Sequence, residues 1–154
     1  MNINITKIYS ALSAKRDDSE ITIENQQKSY LVNVMAEIGK LSENIKQDDP
    51  FGITLALCEI AIYTIDTFDY DEAPGSIGLA RNPININEWL SGLLLDIGRY
   101  SYGFDYEDGY NVLSSVVELC RYYGFDFELV MLEVIAKMGN KEYKVDFEKA
   151  KLKN

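Results

Sequence analysis

Apolar residues recur at helical spacing along most of the chain. Within Asn25–Lys46, Leu31, Val34, Met35, Ile38, Leu41 and Ile45 follow one another mostly three or four apart, which predicts an amphipathic helix. Ile53–Tyr70 is apolar almost all round, the pattern of a helix surrounded by others. A shorter pattern predicts a first helix over Asn2–Ala14. Asn87 reads as a cap for a helix over Glu88–Tyr102. Another is predicted over Tyr110–Tyr123, ended by Gly124, and Asp126 should cap a last one over Phe127–Met138. The breaks are "QDDPFG", "GFDYEDG" and one long loop, "DEAPGSIGLARNPIN". Pro50, Pro74 and Pro83 fall where the helical pattern stops, and no strong strand alternation competes. The prediction is an all-α bundle of five or six helices in a single domain, 1–154.

One segment echoes another. "AEIGKLSENI" is answered by "LDIGRYSYGF", and each runs acid, Ile, Gly, base. A turn and an apolar helix follow each, with polar groups seven residues apart: Glu59 and Asp66, then Asn111 and Glu118. Seven residues is nearly two helical turns, so each pair shares a face. Two related helical hairpins are expected.

The acids of Ile53–Tyr70 are the most informative residues. A lone ionised carboxylate is costly to bury, so Glu59 and Asp66 need a base, a donor or a cation, or a place on a polar seam. Tyr63 and Thr64 beside them read as packing residues with satisfied hydroxyls. Glu37 and Lys40 read as an i,i+3 pair, with Glu37 at the edge of its apolar stripe and Lys40 nearer solvent. Asp96 and Arg99 repeat that spacing.

Composition narrows the chemistry. The chain has no histidine, which excludes histidine general bases, histidine-based triads and the common zinc sites. Any metal would be held by oxygen, as Mg²⁺ or Mn²⁺ is. Net charge is −10, which argues against nucleic acid and anionic membranes as partners. The exception is Lys137–Asn154, where six Lys face three Asp or Glu, a local basic end that could meet phosphate. Cys58 and Cys120 lie in apolar runs and are expected to be buried thiols, as suits a reducing cytoplasm. No secretory leader and no apolar run long enough to span a bilayer are read. The 11 tyrosines point first to packing and only secondarily to stacking on a base.

In order and spacing, "EIGKL" (37–41), "PFGITLALCEIAIYTID" (50–66) and "GFDFELVMLEVIAKMGNKEYKVDFEKAK" (124–151) resemble the MazG-like all-α nucleoside triphosphate pyrophosphatases. That family includes the dimeric dUTPases and dCTP pyrophosphatases. It carries Glu-x-x-Glu on one helix and Glu-x-x-Asp on the next. The resemblance implies Mg²⁺ (or Mn²⁺) and cleavage of a nucleotide to a monophosphate and pyrophosphate. It also implies a homodimer or higher homo-oligomer. The implied metal ligands are Glu37, Glu59 and Asp66, with Asp96 and Asp108 as acids of the second hairpin. Lys137 and Asn140 would bind phosphate or nucleotide.

The chain departs from the family at the carboxylates. The four family positions read Glu37, Lys40, Ala56 and Glu59 in the first hairpin, and Asp96, Arg99, Asp108 and Asn111 in the second. Both hairpins put a base where the second carboxylate belongs. Two readings result: a pyrophosphatase with a composite carboxylate set, or a nucleotide- or protein-binding module in which Glu37–Lys40 and Asp96–Arg99 have become salt bridges.

Overall fold

In the computed structural model, residues 2–16, 22–69, 76–78, 85–139 and 144–153 are described. The architecture is all-α, with six helices among the described residues: α1 Ile5–Arg16, α2 Ile23–Lys46, α3 Pro50–Ile65, α4 Ile86–Gly103, α5 Tyr106–Tyr122 and α6 Phe127–Lys137. A two-stranded antiparallel ribbon joins β1 (Asn2–Asn4) to β2 (Ser76–Gly78), pairing Ile3 with Ile77. A single turn of 3-10 helix, Phe147–Ala150, follows α6. Among the described residues, no helix is long and apolar enough to cross a membrane.

The helix ends follow local chemistry. Asp49, Asp105 and Asp126 each accept a backbone N–H in the first turn of the helix they precede. Pro50 occupies the first turn of α3, where no intrahelical partner for its missing N–H is needed. The α2–α3 reversal is tight and places Asp48 at φ 51°, in the left-handed region. The cap of α4 is Asn85, whose side chain accepts from Glu88 N at 2.8 Å, so the expected cap Asn87 lies inside the helix. The "GFDYEDG" break is shorter than expected: only Phe104 and Asp105 are non-helical. Phe104 sits at φ 54°, a costly conformation for a side chain with a Cβ. Its ring is held edge-on by Tyr30 and Tyr100, at centroid distances of 5.8 and 5.2 Å.

Two helical hairpins result, α2–α3 and α4–α5, joined where α3 packs on α5. As its pattern predicted, α3 is central: Ile53, Leu57, Ile60, Ala61, Ile62 and Ile65 are all buried. Each of these isoleucines and the leucine contributes about 1.5–3 kcal/mol of transfer free energy. Cys58 and Cys120 are free thiols that meet at the α3–α5 seam. Their mutual hydrogen bond, then burial, pushes the Cys58 thiol well above the ordinary range, so it stays protonated.

Most of the tyrosines with ring contacts serve packing. Tyr30 bonds Thr64 at 2.9 Å between hydroxyls, Tyr100 bonds Thr67, and Phe68 meets the rings of Tyr100, Tyr106 and Tyr110. Gly109 is part of this packing. A Cβ there would lie 2.7 Å from Phe68 Cε1 and 2.9 Å from Tyr100 Cε1. Overpacking costs about 1–3 kcal/mol, against about 1 kcal/mol gained by alanine over glycine in a helix. Gly109→Ala should therefore lower stability, by up to about 2 kcal/mol in urea unfolding; a raised midpoint would show that the rings yield freely.

Candidate functional site

The candidate site is the seam between α2, α3 and the end of α1. In α2 the residues Tyr30, Val34, Glu37 and Leu41 form the buried stripe. Glu37 therefore sits on that stripe rather than at its edge, with its side chain only 7% exposed. Lys40, one turn on, is 67% exposed and folds back so that Nζ lies 3.0 Å from Glu37 Oε1. The hydrogen bond to Glu37, then its charge, raises the Lys40 pKa, and the fields of Glu59 and Tyr63 on α3 add to it. Burial first, and then the charges of Glu59 and Glu37, raise the Tyr63 phenol, while Lys40 and Arg16 oppose this. One electrostatic face thus gathers Glu37 and Lys40 from α2 with Glu59 and Tyr63 from α3.

Asp66 continues that face one turn below Tyr63, at the C-cap of α3. It is 6% exposed and lies 3.0 Å from Arg16 Nη1, where the last turn of α1 reaches it. Its Oδ2 is buried and accepts no aligned hydrogen bond, so at that oxygen the contact is charge attraction. Burial outweighs Arg16, and with a further push from Glu59 the Asp66 carboxyl is raised to about 6. Beside the pair lies a cavity of about 190 Å³, lined by Tyr9, Leu12, Ser13 and Ile65 as well as the two charged groups.

The remaining expected residues lie apart from this face. Asp96 accepts a hydrogen bond from Ser115 Oγ at 3.2 Å across the α4–α5 hairpin. The expected Asp96–Arg99 salt bridge is not formed; Asp96 is held at the hairpin seam while Arg99 lies on the outer side of α4, in a groove with Asp108. Lys137 lies 3.7 Å from Glu133 in the last turn of α6. Asn140 lies outside the described residues. Glu118, given no role by sequence, is 4% exposed on α5 and has Arg121 at 3.8 Å. Burial raises its carboxyl and Arg121 lowers it. "ELCR" inside an apolar run was the available signal: a buried glutamate with a base one turn on, the same device as Glu37–Lys40.

A hard divalent cation at this face would meet the Lys40 ammonium at Glu37 and the Arg16 guanidinium at Asp66. No group of three or more Asp, Glu or Cys is placed to hold a metal among the described residues. The side chains as placed do not fit Mg²⁺ or Mn²⁺, which need several oxygens free to coordinate. Comparison with family models, with curated proteins and with solved structures finds no match to this chain.

Proposed function

We propose that this chain is a nucleotide-binding module of the MazG-like helical type that does not hydrolyse its ligand, and that it works as a cytoplasmic homo-oligomer. The observation that carries the reading is the Glu37–Lys40 pair at 3.0 Å, with Glu59 close enough to act on the same ammonium. The resembled family places a metal-binding carboxylate pair where this chain has an acid neutralised by a base. Glu37 and Glu59 remain as acceptors for sugar hydroxyls or an exocyclic amino group. Lys137 and Asn140, at the start of the basic segment, are the residues assigned to phosphate.

Binding of this kind needs no metal. Calorimetric titration with non-hydrolysable deoxynucleoside triphosphate analogues, with a chelator present, should give saturable binding of at least one base. Glu59→Ala should weaken it about tenfold, the value of one charge-assisted hydrogen bond. Absence of binding for every base would overturn the nucleotide reading and leave protein binding as the module's role.

A further inference from the structure

The outer face of α4 is apolar. Leu93, Ile97 and Tyr100 point into the core, yet Leu94 and Leu95 stay half exposed and Tyr102 is 96% exposed. These three lie on the outward half of the helix, with Tyr102 two turns on from Leu94 and Leu95. Between them stands Gly98, where an added Cβ would meet nothing within 4 Å, so the helix backbone itself is bare there. Together with Arg99 and Asp108 they line an open groove of about 550 Å³. A tyrosine alone offers about 150–250 Å² for burial, so the face is of the size, a few hundred Å², that marks an interaction site.

The groove's charges identify its occupant. It holds one base, Arg99, and one acid, Asp108. Neither forms an ion pair within the chain among the described residues. One base beside one acid leaves the groove without net charge, so it favours neither nucleic acid nor a strongly basic segment. A second copy turned by a two-fold axis presents the same groove reversed, and its base meets this acid while its acid meets this base.

We propose that two copies of this chain dimerise through the outer face of α4, with Leu94, Leu95 and Tyr102 packed around Gly98 and with reciprocal Arg99–Asp108 pairs. The face names the contact behind the homo-oligomer proposed above, and holds whether or not the chain binds nucleotide.

Light scattering after size exclusion, from micromolar to millimolar protein, tests it. The wild type should give twice 17.5 kDa. Tyr102→Asp and Arg99→Asp should each weaken association at least about a hundredfold, with the circular dichroism and melting curve of a folded monomer, because both side chains are exposed. Arg99→Asp combined with Asp108→Arg restores the pairs in exchanged order and should return the dimer. A wild type that stays at 17.5 kDa throughout overturns the proposal, as does a dimer indifferent to both single substitutions or a double exchange that rescues nothing. The nucleotide titration is read separately, so loss of either result leaves the other standing.

Discussion

Lys40→Glu is expected to give this protein a Mg²⁺ affinity that the wild type lacks. In the wild type the local charges of Glu37, Lys40 and Glu59 sum to −1, and the ammonium occupies the Glu37 oxygen that a cation would need. The substitution makes that sum −3 and places a third carboxylate one turn from Glu37. Two like charges so near a side chain that is only 7% exposed should lower the metal-free stability by about 1–2 kcal/mol. Mg²⁺ should then restore it, since a ligand bound only by the folded state stabilises that state. The readouts are a calorimetric Mg²⁺ affinity at least about tenfold above wild type and a melting temperature that rises with Mg²⁺ only in the variant. Lys40→Met, which removes the base without adding an acid, should fall between the two. If the Lys40→Glu protein ignores Mg²⁺, the lysine is not what withholds the cation.

The second large effect is a pH dependence at Asp66. Its carboxyl titrates near 6 in the folded protein against 3.8 ordinarily, chiefly because it is buried. A carboxyl raised in this way favours the folded state fully below pH 3.8, loses that contribution as pH rises, and has lost it above about pH 6. The gap corresponds to about 3 kcal/mol at most. Asp66→Asn cannot ionise and so lacks this term. Relative to the variant, the wild type should lose about 2–3 kcal/mol of unfolding free energy between pH 4 and pH 7.5. Urea unfolding of both proteins at the two pH values gives the number directly. Parallel pH profiles would mean that Arg16 holds the carboxylate ionised at little cost. The opposite trend, with the wild type gaining relative to Asp66→Asn as pH rises, would mean that the ion pair dominates burial.

The helices were legible because most are amphipathic and α3 is apolar on nearly every side; both patterns survive in one dimension. Their limits were less so. Asn85 and Asn87 are equally good caps by type, and only the direction of the chain entering α4 selects the first. "GFDYEDG" reads as a long break because two glycines and three acids lie in it. In the folded chain Asp105 caps α5, and Gly109 lies inside that helix at a point where Phe68 and Tyr100 leave no room for a side chain. The β1–β2 ribbon joins three-residue segments more than 70 residues apart, too short for any alternation to show.

The site divides in the same way. Glu37–Lys40 was readable because the i,i+3 spacing is local; how deeply Glu37 is buried depends on α3 closing over it. Arg16–Asp66 has no sequence signal, since the partners lie 50 residues apart and meet only when α1 docks against the end of α3. Asp96–Arg99 was expected by analogy with Glu37–Lys40. Ser115 across the hairpin holds Asp96 instead, and Arg99 is left on the outer groove.

The central claim is that the exchange of a carboxylate for Lys40 leaves a binding face without hydrolysis. Its most direct measurement is pyrophosphate release from a full panel of deoxynucleoside triphosphates with Mg²⁺ or Mn²⁺, the wild type beside Glu59→Ala. The account predicts no release above the Glu59→Ala control for any substrate. Release by the wild type that Glu59→Ala abolishes would contradict it, and would mean that Glu37 and Asp66 part from their bases to hold the metal with Glu59 after all.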